Sequence, residues 1–186
     1  QISCASNLKQ IGTAVMMYTQ DYEGWLPISA TSGGTPVEWR VEVAPYLGVH
    51  NNNWIGLLKD CSKGGYRCPR FFTEMSPVWQ EGGYGWNSRF LGSMPNHTQD
   101  WGRRQALRDL TDPVDTFVCG DTSDAVTGAR AMVLSNPVGH PEYIGTRHSN
   151  GINVVFADFH VAHMQHNEIW TGGGTGDQNY FYKKEK

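Results

Sequence analysis

The register of the first 27 residues restricts the fold of this chain more than any other stretch. Apolar side chains fall at Cys4, Leu8, Ile11, Val15, Tyr18 and Tyr22, in alternating steps of four and three. That spacing keeps one stripe on one side of a helix of roughly 20 residues, about 30 Å long at ~1.5 Å per residue. Ser6, Lys9, Gln10, Thr13 and Gln20 fall on the opposite side and suit water. Gly24 tolerates the left-handed conformation that closes a helix, and Pro27 cannot continue one. Nothing before Gln1 caps the helix, so residue 1 is expected to lie inside a longer natural helix. By pattern alone this is an amphipathic helix at a domain edge, and its stripe needs an apolar layer to cover it.

Composition narrows the rest. The 186 residues suit one domain with a real core, and 39% hydrophobic with 18% charged residues describes a globular chain, not a disordered one. A net charge of -3 argues against a nucleic-acid partner, which would select a basic face. No apolar run reaches the ~20 residues needed to cross a bilayer. The 22 glycines, 9 prolines and 7 tryptophans favour turns, long ordered loops and aromatic plugs over a helical bundle.

Along the chain, Thr31 to Pro36 reads as a polar loop and Val37 to Leu47 as a short helix interrupted at Pro45. Tyr66 to Pro69 reads as a short extended segment. A long irregular stretch to about Arg104 contains Gly82 to Ser88, whose alternation of glycine and aromatic residues lets backbone pack close under large rings. The sequon at Asn96 reads as loop. Arg104 to Leu110 suits one or two helical turns, and Thr116 to Cys119 is β-prone up to Gly120-Asp121. Ala129 to Leu134 is a further candidate strand. Ile152 to Met164 carries the clearest β signal: Ile152, Val154 and Phe156 alternate with Asn153, Val155 and Ala157, then Asp158-Phe159 turns the chain back. The tail from Gly172 is flexible in composition. One long helix followed by short strands and loops is an α+β layout in one domain, 1–186.

The residues able to do chemistry are few. Four cysteines allow three pairings. Cys61 and Cys68 enclose six residues and form a plausible small disulfide loop, while Cys4 and Cys119 resemble buried small hydrophobes. No Cys-x-x-Cys or Cys-x-x-His spacing supports zinc. His148, Asp158 and His160 are compatible with a metal centre around the hairpin turn, although alternation points His163 away from His160 and His166. The competing reading is structural, with His148 tying the incoming loop to the hairpin. Asp112/Asp115 and Asp121/Asp124 lie in turn-like sequence and read as caps, with calcium as the alternative. There is no Gly-x-Ser-x-Gly, phosphate loop or dinucleotide fingerprint, and no cofactor is expected. Trp25, Trp39, Trp54, Trp79, Trp86 and Trp101 would stack on sugars if exposed.

Ser3 to Gly12, followed by Tyr18, Asp21 and Gly24-Trp25-Leu26-Pro27, resembles the start of the soluble part of type IV pilin-like proteins. The closer likeness is to prepilin-type cleavage/methylation proteins and to G-type pseudopilins of type II secretion. Arg147 to Gly151 through Asn153 to Val161 is similar to that group's His, nine residues, Asp-Gly signature, with Arg147, His148, Asn153, Asp158 and His160 as its positions here. Arg67-Cys68-Pro69, Tyr84 to Ser88, and Asp112-Pro113 to Gly120-Asp121 fall between them in the expected order. Phe159 replaces the glycine of the signature, at a turn position that suits positive φ.

The resemblance implies a pilin-like fold: a long N-terminal helix on a small antiparallel sheet. Residues 1–24 would be the C-terminal half of a spine helix and 25–186 a globular head. It implies a structural subunit of a type II secretion pseudopilus or related filament, not an enzyme. It also implies an upstream apolar segment that anchors the subunit in the inner membrane before assembly, an extracytoplasmic head, and partners among other pseudopilins and inner-membrane secretion components. The group's C-terminal calcium ligands do not map onto the Gly172 to Lys186 tail, so no metal is assigned. Two other functions fit the residues: a carbohydrate- or surface-binding module on such a scaffold, and a metal-dependent enzyme at His148, Asp158 and His160.

Overall fold

The computed structural model describes residues 2–28, 30–32, 35–37, 39–50, 65, 67–71, 83–92, 104–122 and 145–169. Helix α1 spans Ile2–Asp21. Leu8, Ile11 and Val15 are fully buried, and Cys4 and Tyr18 nearly so. Ser6, Lys9, Gln10, Thr13 and Gln20 are exposed. Each buried aliphatic residue on this stripe stabilises the packing by about 1.5–3 kcal/mol. The helix ends one residue before the last position of the stripe. Tyr22 lies beyond the last helical residue, is 50% exposed, and stacks on the Tyr18 ring at 4.2 Å.

The layer beneath α1 is a four-stranded antiparallel sheet in the order β3-β4-β5-β6. Its strands are β3 (Tyr84–Trp86), β4 (Phe117–Asp121), β5 (Gly151–Phe156) and β6 (Val161–Gln165). The fold is therefore α+β, with α1 lying on β5 and β6. Alternation divides β5 between two layers. Val155 and Ala157 join the core under α1, whereas Ile152, Val154 and Phe156 pack with Phe117 and Ile169 on the other face. Gly12 makes the close approach possible: a Cβ there would come within 3.0 Å of Val155.

The β5–β6 turn keeps the shape expected of Asp-Gly although it contains Asp158-Phe159. The Phe159 N–H donates to the Phe156 carbonyl at 2.9 Å, the Phe156 N–H donates to the His160 carbonyl at 3.0 Å, and Phe159 sits at φ 69°. That conformation costs a non-glycine residue about 1–2 kcal/mol. The half-buried Phe159 ring packs against the main core and offsets part of it.

Smaller elements complete the description. Thr31 to Pro36 is not a plain loop: β1 (Ala30–Ser32) and β2 (Thr35–Val37) pair antiparallel, Ala30 opposite Val37, because β-prone Thr and Val residues flank the glycines. α2 (Trp39–Val43) gives way to a 3-10 turn at Ala44–Leu47, where Pro45 occupies a position that tolerates a missing N–H. The stretch expected to be irregular contains β3 and α3 (Ser88–Leu91), and α4 (His166–Ile169) follows β6. Under β3, Gly83 at φ 76° lies so close to Phe71 that a Cβ would meet its ring atoms at 2.9 Å. Leu107–Asp109 forms a 3-10 turn. The segments around Trp54, Asn96, Ala129 to Leu134 and the Gly172 tail lie outside the described residues. Among the described residues no helix is long and apolar enough to cross a membrane.

Candidate functional site

β4 ends in a buried carboxylate. Asp121 is 0% exposed, and its Oδ2 accepts two hydrogen bonds from Asn153 on β5, from the backbone N–H and from Nδ2, each at 2.8 Å. A carboxylate this deep requires cationic or hydrogen-bonding partners. Arg147 Nη2 lies 3.7 Å from Oδ1, and His148 Nε2 lies 3.4 Å from Oδ2.

The local backbone explains why these groups converge. His148 and Gly151 bracket a two-residue turn, with the Gly151 N–H donating to the His148 carbonyl at 3.0 Å. Ser149 and Asn150 sit at φ 52° and 60°, the left-handed pair that a tight hairpin turn of this twist needs. The turn delivers the chain into β5, and Asn153 arrives over Asp121 two residues later. His163 Nε2, from β6, contacts the His148 carbonyl at 2.7 Å. Arg147 donates to the Gly83 carbonyl at 2.8 Å and to the Thr122 carbonyl, and its guanidinium lies 5.2 Å from the Phe71 ring centre. One cation thus ties the entry to β3 and the end of β4 together.

The helix is joined to the same cluster. Cys4 on α1 forms a disulfide with Cys68, with the Cα atoms 5.2 Å apart, and Cys68 Sγ lies 3.4 Å from His148 Nε2. Tyr84 on β3 donates to the Cys4 carbonyl at 3.4 Å, and Asn7 Nδ2 donates to the Arg67 carbonyl at 2.9 Å. Burial, and then the nearby Asp121 charge, push the Tyr84 phenol well above its ordinary value, so it remains a donor. The same two causes, in the same order, push up the buried Cys119 thiol, which is free and stays protonated.

This pairing corrects the expected Cys61–Cys68 loop. Nearness in sequence suggested that bridge, but the apolar stripe carries Cys4 under the Arg67 to Phe71 segment, which places the two sulfurs together. Cys61 lies outside the described residues. Cys4 is accordingly half of a covalent tie and not a simple buried hydrophobe.

The five signature positions divide in two. Arg147, His148 and Asn153 surround Asp121. Asp158 and His160 sit at the exposed hairpin tip, where His160 Nδ1 meets Asp158 Oδ1 at 2.5 Å and the imidazole stacks on Phe156 at 4.2 Å. His148 precedes β5 and Asp158 follows it, so a strand of six residues, about 20 Å at ~3.3 Å per residue, separates them. A metal centre at His148, Asp158 and His160 is therefore ruled out by position. The hub that sequence reasoning missed is Asp121, taken there for a turn cap. A carboxylate closing a fully buried strand, in a chain that also carries Arg147-His148, was the available signal. In the Asp112 turn, the Asp112 backbone carbonyl accepts from Thr116 Oγ1 at 2.7 Å.

The tryptophans do not make a sugar platform where they are described. Trp39 and Trp86 are fully buried and stack on each other at 5.6 Å. Trp25 is half-buried beneath the Arg104 and Arg108 guanidinium groups. Trp54, Trp79 and Trp101 lie outside the described residues.

Fold and site together define an α+β domain whose N-terminal helix is fastened to an antiparallel sheet through a buried polar cluster. Residues 1–52 match a family described as a protein of unknown function, DUF1559. No curated protein and no solved structure matches the chain.

Proposed function

We propose that the chain is a pilin-like structural subunit of a type II secretion pseudopilus or a related type IV pilus-like filament, not an enzyme. The observation that carries this reading is the placement of α1: one face buried on β5 and β6, the other polar and turned outward, and the whole helix inside the family match at 1–52. The order of motifs along the chain supports the same reading. So does the Arg147, His148, Asn153 and Asp121 cluster, which joins the end of β4 to the start of β5 beneath α1. In this account an apolar segment upstream of α1 anchors the subunit in the inner membrane and packs against other subunits. The head lies on the extracytoplasmic side, among the secretion components of that membrane.

Light scattering and electron microscopy test the division of labour. Residues 1–186 are expected to remain monomeric, and the same chain carrying its native upstream segment is expected to join fibres that bind antibody against the head. Filaments formed by residues 1–186 alone, or an upstream-extended chain absent from fibres, would overturn it.

A further inference from the structure

Four side chains from four separate segments meet below α1: Cys4, Cys68, Asp121 and His148. Their donor atoms all lie within 4.8 Å of one another, and all four residues are buried. We propose that, when the Cys4–Cys68 bond is reduced, these residues form a closed four-ligand site for a divalent cation of the zinc class. The same position then ties α1 covalently to the Arg67 to Phe71 segment in the oxidised chain and, through a metal, to Asp121 on the sheet in the reduced one.

Edge lengths favour this. Bonds of ~2.0–2.1 Å to nitrogen or oxygen and ~2.3 Å to sulfur make a tetrahedron with edges of roughly 3.3–3.8 Å. Two edges already have that length, Cys68 Sγ to His148 Nε2 at 3.4 Å and His148 Nε2 to Asp121 Oδ2 at 3.4 Å. Once the S–S bond is broken, the sulfurs are free to move apart to an edge of ~3.8 Å. The surrounding groups also suit a metal. Asn153 orients the Asp121 carboxylate through two hydrogen bonds, as outer-shell partners of metal ligands do. Asp121 Oδ1 is buried without a hydrogen-bond partner among the described residues. Charge balances as well: two thiolates and a carboxylate are neutralised by one dication together with the neighbouring Arg147. The phosphine gives two electrons to the disulfide and becomes its oxide, with one water supplying the oxide's oxygen and the two thiol protons. Each cysteine then releases its proton to solvent as its sulfur–metal bond forms.

Cobalt(II) is the probe, added to residues 1–186 reduced with a phosphine in oxygen-free buffer. The expected result is one cobalt per chain, with intense visible bands of four-coordinate metal and a sulfur-to-cobalt band in the near ultraviolet, both lost on reoxidation. Removing the other thiols, with Cys61→Ala and Cys119→Ala, should leave the spectrum intact. His148→Gln and Asp121→Asn should each weaken binding by at least ~10-fold. Three results would overturn the site. One is a reduced chain, folded by circular dichroism, that gives only weak six-coordinate bands. Another is a spectrum that reoxidation does not change. The third is a reduced, unfolded chain that cobalt does not refold.

Discussion

The two ends of α1 are held in different ways. At the Cys4 end the attachment is covalent and the charges beside it are buried: Asp121 has no exposure and His148 has 2%. At the other end the attachment is a set of reversible hydrogen bonds, three of them partly buried and one at the surface. Arg104 donates to the Leu26 carbonyl at 2.8 Å and to Tyr18 Oη, Glu42 accepts from the Ile28 N–H at 2.8 Å, and half-buried Tyr46 donates to exposed Asp21 at 2.8 Å. Water reaches the second end at Asp21 but does not reach Asp121 or His148 at the first. Damage should therefore be severe near Cys4 and graded near Tyr18.

Removing the covalent tie should have the largest effect. The disulfide spans 64 residues, and in the chain-entropy model its loss costs about 4 kcal/mol. Urea unfolding of Cys4→Ser in metal-free buffer should show that loss, and an unchanged midpoint would equate the two ends. Next is Asp121→Asn, which removes the buried negative charge beside Arg147 and His148. The expected loss is about 3 kcal/mol, from the same measurement. At the far end, Arg104→Ala removes charged hydrogen bonds that water partly replaces, so about 2 kcal/mol is expected. A loss at Arg104 exceeding that at Asp121 would reverse the comparison.

The smallest effect concerns pH. Burial raises the Glu42 carboxyl above its ordinary value and outweighs the lowering by the Ile28 N–H and Arg104. The folded chain therefore holds this proton more tightly than the unfolded chain does. The stabilisation is complete below the ordinary glutamate range and is lost as pH rises through the raised value. Glu42→Gln should remove that part of the pH dependence, leaving the variant relatively more stable as pH rises. Parallel pH-dependent slopes for the two proteins would contradict the assignment.

What the sequence disclosed, and what it concealed, follow from the range of each interaction. The α1 stripe and the β5–β6 hairpin were legible because their signals are local periodicities, 3.6 and 2 residues. β3 was hidden because Tyr84-Gly85-Trp86 is too short for alternation to register, and its pairing with Gly120 and Asp121 is a distant contact. The Cys4–Cys68 bridge was concealed for the same reason, since only the packed helix brings those residues together. His148 was marked as a tie between loop and hairpin, but its partner Asp121 lies on another strand. Metal-ligand spacing rules search neighbouring residues, so they passed over a cluster drawn from positions 4, 68, 121 and 148.

The central claim is that α1 is locked at Cys4 to the segment carrying Cys68, and non-reducing peptide mapping tests it most directly. Trypsin places Cys4, Cys61 and Cys68 in separate peptides, 1–9, 60–63 and 68–70. The account requires peptide 1–9 linked to peptide 68–70 in the oxidised chain, with the link lost on reduction. Peptide 60–63 linked to 68–70, with Cys4 free, would contradict it.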